Sequence, residues 1–328
     1  MMRKFFLLLL AVFIIVVIFC LHFLYSPIVK KDLYYVVRAD TNARKLTNDL
    51  YRLTDLKYPA LLRLLIEFHR DDKRLRTGEY FFPRGSNIVQ IVSKIVNGKI
   101  HYHLFTIVNG YNFSRVFARL ESSSFLQHTL KDKSPEEVAK LMRLKHKTPE
   151  GLLFPETYYC TRGETDLQTL NRAHQEMLRY LQKKWPQRAK DLPFKTQYTA
   201  LIVASMIEKE AHIKGEKPII AGIIEHRLQK WMRLQIDATV IYGMGKKFNG
   251  GLTRKDLHTK TPYNTYTNYG LPPTPIAMPG RDSIDAALHP AKTDMLYFVA
   301  KKDGSHVFSR DLEQHNKNVE KYQLQEKD

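Results

Sequence analysis

Cysteine is scarce in this 328-residue chain, which has only Cys20 and Cys160. Because Cys20 falls within an apolar run that we expect to lie in a membrane, an intramolecular disulfide is not expected. The cysteines therefore neither support nor exclude an oxidising compartment. The cysteines and the 13 histidines do not come together at the short spacings of zinc ligands. The sequence therefore predicts no metal site and no cofactor.

Acidic residues are the minority among the charged side chains. The chain has 33 Asp and Glu against 52 Lys and Arg, which gives a formal net charge of +19. This charge suits an acidic polymer or an anionic membrane surface as partner, although basic residues spread over solvated faces are the simpler explanation. Nucleic acid is not expected, because no nucleic-acid-binding motif is visible. A hydrophobic content of 44% is enough for a folded core.

One long apolar run stands near the start of the chain. Phe5–Tyr25 carries no charged side chain, and about 20 such residues suffice to cross a bilayer. Arg3 and Lys4 precede the run, so the positive-inside rule predicts a cytoplasmic tail at residues 1–4, with the remainder of the chain outside the cytoplasm. A cleaved signal peptide is the alternative. Its apolar region is usually shorter, and no Ala-x-Ala-like site follows the run.

Residues 32–100 are predicted to form a small α+β unit. Runs of β-branched and aromatic residues indicate strands, and leucines at helical spacing indicate helices. The predicted order is a strand at Leu33–Arg38, helices at Leu46–Leu53 and Tyr58–His69, a strand at Thr77–Phe82, and a further helix capped by Ser86. On a cell-envelope protein, such a strand–helix–helix–strand unit resembles a LysM-like module, which binds glycan strands. A structural spacer is the alternative.

The rest of the chain predicts a larger α+β domain. Helices are expected over most of residues 110–196, including Thr165–Lys184, with one interruption at Pro149–Tyr159, where two prolines and a glycine predict a loop and a short extended piece. Further helices are expected at Ala200–Glu210, Pro218–Trp231 and Asp311 to about Leu324, and strands at His101–Val108, Arg233–Asp237, Met295–Ala300 and His306–Ser309. Between them, Leu257–Arg281 contains five prolines and few regular signals. Loops of this length inside a folded region tend to be functional.

The acidic pair Glu208 and Glu210 ends the most uniformly apolar helix of the chain. Ala200–Ile207 is apolar almost all round, as buried helices are. A carboxyl group at the end of such a helix can be desolvated and stay protonated at neutral pH, as general acid catalysis requires. The two glutamates are about 200° apart on a helix, so only one can point into a given cleft. Two solvated glutamates that mark the helix end are the alternative.

Polar and aromatic residues dominate the sequence after this helix. Sugar hydroxyls need amide and carboxylate partners, and the C–H faces of sugars stack on aromatic rings, so carbohydrate suits such a surface. The residues concerned are Gln235, Asp237, Thr239, Tyr242, Asn249, Tyr263, Asn264, Tyr266, Thr267, Asn268 and Tyr269. Singly, each is more often structural, and Asp237 could instead cap the turn at Thr239.

Several short motifs occur in a fixed order along the chain. They are Glu150–Tyr158, Ala204–Glu210, Met232–Asp237, Thr239–Gly245, Tyr263–Thr267, Gly270–Pro273, Ile276–Gly280 and His289–Lys292. Together they closely resemble the endolytic murein transglycosylases, the MltG or YceG-like family, and the resemblance covers residue 5 to about residue 322. One departure is Val108-Asn109, where the family pattern leads us to expect Pro-Glu before the glycine.

The resemblance implies a lyase that cleaves the MurNAc–GlcNAc bond within nascent peptidoglycan strands and has a role in terminating glycan elongation. One glutamate protonates the leaving oxygen and then deprotonates the 6-hydroxyl of MurNAc, which closes onto C1 to give a 1,6-anhydro end. Ordinary glycosidases need two carboxylates, whereas here the substrate hydroxyl replaces the nucleophile. The resemblance assigns this acid/base to Glu210, with Glu208 as runner-up. Glu208 would then pair with Lys209 or His212, or support the loop from beneath.

The resemblance also implies how the chain is organised. It predicts a cytoplasmic tail (1–4), a transmembrane helix (5–25), a LysM-like domain (32–100) and a YceG-like catalytic domain (101–328), in a single-pass inner-membrane protein with a periplasmic body. We expect Gln235, Asp237, Tyr242, Tyr263, Asn264 and Tyr266 to hold the glycan and stabilise an oxocarbenium-like transition state. Peptidoglycan strands, the inner membrane and peptidoglycan synthases are the expected partners. A hydrolytic glycosidase and a non-enzymatic peptidoglycan-binding scaffold are the alternatives.

Overall fold

The structure, a computed structural model, describes residues 2–68 and 75–324. The chain divides into two compact units, one made of Met1–His103 with Tyr159–Glu164 and the other of Leu104–Tyr158 with Thr165–Asp328. In the described part of the chain, helices predominate and the strands form two-stranded sheets. The fold is therefore mixed α and β, as the sequence predicts.

The first unit begins with a long apolar helix, α1 (Met2–Tyr25). By length and composition it could cross a membrane, and it is the one helix among residues 2–68 and 75–324 that meets this test. Most of its large apolar side chains are exposed. Exposure of so many Leu, Ile and Phe side chains to water would be unfavourable, so a lipid environment explains the helix well. A signal sequence has the same composition.

A small sheet and three helices follow α1 in the first unit. They are β1 (Leu33–Val37), α2 (Ala43–Leu53), α3 (Pro59–Phe68), β2 (Gly78–Phe82) and α4 (Ile88–Val96). β1 and β2 are antiparallel, with Tyr35 opposite Tyr80. The apolar faces of α2, α3 and α4 pack with this pair into one core. The element order is the predicted one, while His69, the expected end of the second helix, lies outside the described residues.

The predicted cap of α4 is wrong by one residue. Asn87, not Ser86, caps the helix: its side chain accepts from the backbone of Gln90, whose side chain accepts from the backbone of Asn87 in return. Ser86 is buried instead and donates its hydroxyl to the carbonyl of Pro83. An asparagine at this position forms a complete capping box, which satisfies two helix-end N–H groups at once.

The second unit is built around one buried helix. Its elements, with the strand leading into it, are β3 (His103–Thr106), α5 (Phe113–Glu121), α6 (Pro135–Leu141), β4 (Thr157–Cys160), α7 (Asp166–Lys184), α8 (Gln197–Glu210), α9 (Lys217–Gln229), α10 (Asp237–Met244), α11 (Arg254–His258), α12 (Arg281–Leu288), β5 (Tyr297–Ala300), β6 (His306–Ser309) and α13 (Leu312–Val319), which continues into a π-helical turn at Glu320–Leu324. Every residue of α8 from Ala200 to Ile207 is buried, against α9, α10 and α12. The apolar pattern of this helix thus correctly predicts a core position.

Two expectations about the second unit are wrong. Arg233–Asp237 is not a strand, because Gln235 has a left-handed φ of +53° and Asp237 already begins α10. Residues 110–196 are also less helical than predicted, since irregular stretches separate α5 from α6 and α6 from β4. The interruption predicted at Pro149–Tyr159 is confirmed, because residues 149–156 form neither helix nor strand and β4 follows them. Between α11 and α12 the chain forms turns and bends without helix or strand. Residues 325–328, at the end of the predicted catalytic domain, lie outside the described residues.

Candidate active site

Glu208, on the last turn of α8, is enclosed by a fixed set of partners. Its side chain is 9% exposed, and Lys217 Nζ lies 3.3 Å from each carboxylate oxygen. Ser283 donates its hydroxyl to Glu208 Oε2 at 2.6 Å, and Gly280 donates its backbone N–H at 2.9 Å. The carboxylate therefore ties α8 to the starts of α9 and α12.

The expected partners of Glu208 need correction. The ion pair is with Lys217, at the start of α9, and not with Lys209 or His212. The other expectation for Glu208, that it supports the loop from beneath, agrees with its hydrogen bond from Gly280, where the irregular segment enters α12. Lys217 itself is buried and also donates to Ser283 at 2.9 Å, so the pair is fully enclosed.

Glu210, the last residue of α8, has very different surroundings. It is half-buried and lines a cavity of about 420 Å³. Burial raises the pKa of Glu210 to about 7, and the nearby Asp237 carboxylate raises it as well, against the opposing effects of the Ala238 backbone N–H and Lys209. A carboxyl group with a pKa of about 7 is partly protonated at neutral pH, so it can both give and accept a proton.

Three of the expected glycan-binding residues line this same cavity: Gln235, Asp237 and Tyr266. The Tyr266 hydroxyl donates to Asp237 Oδ1 at 2.5 Å. Burial and this hydrogen bond raise the pKa of Tyr266, so the phenol keeps its proton and remains a donor. Asp237 is exposed at the first turn of α10 and thus stands beside Glu210 as a fixed acidic neighbour.

Arg227, from α9, holds the backbone segment that carries Gln235. Its guanidinium donates to the carbonyls of Leu296, Arg233 and Leu234 at 2.7, 3.1 and 2.9 Å, and to Gln235 Oε1 at 3.3 Å. The bonded carbonyls of Arg233 and Leu234 are acceptors that a strand would use for pairing with its neighbour. Because Arg227 occupies them instead, the segment before α10 is irregular. Arg227 is 7% exposed and lines the cavity together with Glu210.

Tyr242 belongs to a second cavity, of about 550 Å³, which also contains the buried carboxyl group of Glu150. Tyr242 donates its hydroxyl to Glu150 Oε2 at 3.0 Å, and the Phe113 backbone N–H donates to both Glu150 oxygens. Burial raises the pKa of Glu150 to about 7, although these two donors act in the opposite direction. The start of α10 borders both cavities, since Asp237 lines the first and Ala238 the second.

The remaining two expected residues do not line either of these cavities. Tyr263 packs its ring on Tyr242, with centroids 4.8 Å apart, and its hydroxyl lies 3.0 Å from Thr274 Oγ1. Asn264 is 0% exposed, and its amide donates to three backbone carbonyls of the preceding turn. These contacts favour a structural role for Asn264 over the glycan-binding role expected from the sequence.

Sequence reasoning missed the roles of Glu150, Lys217, Ser283 and Arg227. Glu150 stood inside a recognised motif, and its position beside Pro149 and Gly151 in an apolar stretch was a usable signal for a buried acid. The other three give no such signal. Lys217 and Arg227 resemble ordinary helix-surface cations, and only the packing of α9 and α12 on α8 brings them inside the unit.

Comparisons with known proteins agree with this architecture. The model of the YceG-like family matches residues 35–321. A protein named endolytic murein transglycosylase from Bacillus subtilis (strain 168) is 35% identical over 266 residues, which are 75% of this chain and 73% of that protein. A protein of the same name from Streptococcus pneumoniae serotype 2 (strain D39 / NCTC 7466) is 32% identical over 177 residues, 52% of this chain but only 31% of its own length.

A solved structure is also similar. The crystal structure of a yceG-like protein from Listeria monocytogenes matches 88% of this chain and 99% of its own, with a TM-score of 0.55 and 29% sequence identity. The chain accordingly belongs to the YceG-like family, as its ordered motifs predict.

Proposed function

We propose that this protein is an endolytic peptidoglycan lytic transglycosylase, a lyase that cuts the MurNAc–GlcNAc bond within nascent glycan strands. The names of its relatives support the general activity. The observation that carries the proposal for this chain is the surroundings of Glu210: a carboxyl group with a pKa of about 7 that lines a cavity together with Gln235, Asp237 and Tyr266. One such group is sufficient when the substrate supplies its own nucleophile.

In the proposed mechanism, Glu210 acts first as acid and then as base. The protonated carboxyl group gives its proton to the glycosidic oxygen, the bond from C1 to that oxygen breaks, and positive charge develops at C1 and the ring oxygen. The resulting Glu210 carboxylate takes the proton of the MurNAc 6-hydroxyl, and O6 closes onto C1. The products are a 1,6-anhydro-MurNAc end and a free GlcNAc hydroxyl, and no water is consumed.

Neighbouring residues support this chemistry in two ways. The Asp237 carboxylate raises the pKa of Glu210 before the reaction, and its negative charge would stabilise the oxocarbenium-like transition state. Tyr266 holds Asp237 in position, and Arg227 holds Gln235 at the same cavity, where an amide can bind sugar hydroxyls. We assign Tyr242 and Tyr263 to the border of the glycan site and Asn264 to its framework.

The hydrogen bonds of Glu208 argue against it as the acid. Both of its oxygens face Lys217, Ser283 and Gly280 add two more donors, and Glu208 lines neither of the two cavities described above. Glu208 is better suited to hold α8 and α12 together beneath the site.

The cellular setting is part of the same proposal. With α1 as an anchor and a periplasmic body, the enzyme would reach only glycan close to the inner membrane, which suits a role in ending strand elongation near peptidoglycan synthases. The acid/base assignment lies within the predicted catalytic domain, 101–328. Residues 32–100 would act as a LysM-like glycan-binding module, with a structural spacer as the alternative.

The test compares three glutamine variants of the detergent-solubilised full chain on purified glycan strands. We expect Glu210→Gln to lower the release of anhydro-muropeptides at least about a hundredfold, because the general acid is lost. Glu121→Gln, at an exposed glutamate of α5, is the matched control and should leave the rate unchanged. If Glu210→Gln kept full activity while Glu208→Gln lost it, the assignment of the two glutamates would be reversed.

A further inference from the structure

The first unit contains a carboxylate and two imidazoles on one face of a strand pair. Glu79, on β2, lies directly opposite His101 across an antiparallel bridge, so their side chains project to the same side. His103 follows two residues later and returns to that side, because side chains alternate along a strand. One possible ligand atom from each of the three residues lies within 4.8 Å of the other two.

Simple ion pairing explains only part of this cluster. The Glu79 side chain is 1% exposed, with Arg162 Nε 2.5 Å from Oε1 and His103 Nε2 2.6 Å from Oε2. A buried acid needs such partners. His101 is different: its ring touches Tyr34, Phe81 and His103, and within residues 2–68 and 75–324 no hydrogen bond to its ring nitrogens is found. Ion pairing therefore leaves the third member of the cluster without a polar role.

We propose that Glu79, His101 and His103 form a binding site for a divalent transition metal ion of the Zn²⁺ class. Two imidazoles and one carboxylate are a common ligand set for zinc, whereas Ca²⁺ and Mg²⁺ require mainly oxygen ligands. Zinc–ligand distances of about 2.0–2.2 Å need ligand atoms closer together than the 4.8 Å limit, and small side-chain rotations of the two half-buried histidines provide this.

The position of Arg162 is compatible with a bound metal. It donates to Oε1 of Glu79, which leaves Oε2, the oxygen in contact with His103, as the ligand atom. A ligating carboxylate is commonly held by a hydrogen-bond donor of this kind. The Arg162 side chain is 40% exposed, so its charge is partly solvated and can move away from the ion. Three protein ligands leave a further coordination position for water.

The site was hidden in the sequence because its ligands are not close together along the chain. His101-x-His103 alone is a weak signal, and Glu79 joins it only through strand pairing. The proposed ion links β2 to the segment that pairs with it. We therefore expect it to stabilise the first unit, since a ligand bound only to the folded state raises the free energy of unfolding.

The first test is a Zn²⁺ titration of the chelator-treated, detergent-solubilised full chain by calorimetry. We expect one saturable site per chain in the wild type, affinity at least tenfold weaker in His101→Asn and His103→Asn, and no saturable site for Mg²⁺. His128→Asn, at an exposed histidine of the same chain, is the matched control and should bind like the wild type. Absence of stoichiometric binding in the wild type, or binding unchanged in both variants, would overturn the proposal.

X-ray absorption of the zinc-loaded wild type tests the same site without a substitution. We expect nitrogen and oxygen neighbours at about 2.0 Å with the scattering pattern of two imidazoles. Sulfur ligation, or a shell of water oxygens alone, would contradict the proposed ligand set. Neither measurement involves glycan cleavage, so its outcome is independent of the proposed enzyme activity.

Discussion

Glu208 and Glu210 lie two positions apart at the end of α8, and their carboxyl groups have opposite surroundings. Glu208 has an ammonium, a hydroxyl and a backbone N–H as partners, while Glu210 has a cavity, a neighbouring carboxylate and one backbone N–H. Helix geometry makes the difference, because residues two apart point to nearly opposite sides. This contrast underlies the first residue-scale prediction.

The first prediction concerns the pH dependence of the reaction. Since the protonated form of Glu210 is the acid, we expect kcat/KM to fall about tenfold per pH unit above the pKa of about 7. Asp237→Asn removes a charge that raises this pKa, so the falling limb should move to lower pH. Rates measured from pH 5 to 9 on defined glycan strands check this. A limb at the same pH in both proteins would show that Asp237 does not tune Glu210.

The second prediction concerns Glu150 and stability. Below about pH 4.5 the carboxyl group is protonated in both the folded and unfolded chain. Between about pH 4.5 and 7 it ionises first in the unfolded chain, so the free energy of unfolding falls as pH rises, by about 1.4 kcal/mol per unit. Glu150→Gln cannot ionise. Across that range we expect the free energy of unfolding of the wild type, measured with urea, to fall by about 3 kcal/mol relative to that of the variant. Parallel plots of unfolding free energy against pH for the two proteins would contradict this prediction.

At the scale of single elements, the packing of α9 depends on one close approach. A Cβ atom at Gly222 would lie 2.3 Å from the carbonyl oxygen of Ala291, in the segment between α12 and β5. The Ala291 N–H donates to the Pro218 carbonyl at 2.9 Å, which fixes this segment against the first turn of α9. The helix that supplies Lys217 and Arg227 to the site is thus positioned by backbone contact.

The third prediction follows from this contact. Gly→Ala within a helix usually stabilises by about 1 kcal/mol, but Gly222→Ala should destabilise by about 2 kcal/mol because the new methyl group meets backbone. Gly215→Ala is the matched control: a Cβ there has no heavy atom within 4 Å, so we expect a neutral or slightly stabilising effect. The midpoints of urea unfolding of both variants, compared with that of the wild type, measure these effects. A Gly222→Ala variant more stable than the wild type would contradict the packing described.

The elements that sequence patterns predict well are those with a strong local signal. α8 could be recognised because its residues are apolar in every direction, and β5 and β6 because strand residues flank a Asp303-Gly304 turn. The conformation of Arg233–Leu234–Gln235 could not be recognised from the sequence. The alternating pattern of this segment is typical of a strand, but the buried Arg227, from another element, donates hydrogen bonds to its carbonyls. Hydrogen bonds from a side chain of another element depend on tertiary packing, which local sequence patterns do not encode.

The residues of the candidate site likewise divide into those that the sequence predicts correctly and those whose position requires the fold. Glu210, Gln235, Asp237 and Tyr266 were all expected, and the structure brings them to one cavity. Asn264 was expected to bind glycan because amides suit sugars, yet its burial with three backbone partners favours an internal role. Residue type thus indicates the chemistry of a region, whereas the direction in which a side chain points requires the fold.

At the scale of the whole molecule, α1 and the net charge of +19 indicate where the enzyme is expected to act. The exposed apolar surface of α1 suits a bilayer, and the excess positive charge of the chain suits anionic lipid headgroups and envelope polymers. An anchor would limit the reach of the active site to newly made glycan near the membrane. A cleaved leader would release the enzyme from that limit.

The fourth prediction distinguishes these two cases. We expect the chain to stay in the membrane fraction after carbonate extraction and to have an intact mass of 38.4 kDa. A reporter fused to the C-terminus should be active only if it is one that works outside the cytoplasm, because the positive-inside rule predicts that Arg3 and Lys4 keep the tail at residues 1–4 in the cytoplasm. A shorter soluble form would indicate cleavage after α1, and a cytoplasmic reporter signal would reverse the topology.

Whether Glu210 drives cleavage without water can be measured by digesting glycan strands in H₂¹⁸O and analysing the products by mass spectrometry. We predict that the wild-type chain releases fragments ending in 1,6-anhydro-MurNAc with no ¹⁸O, and that Glu210→Gln releases almost none. Fragments with reducing MurNAc ends that carry ¹⁸O would contradict the account, since they would mean that water had attacked C1.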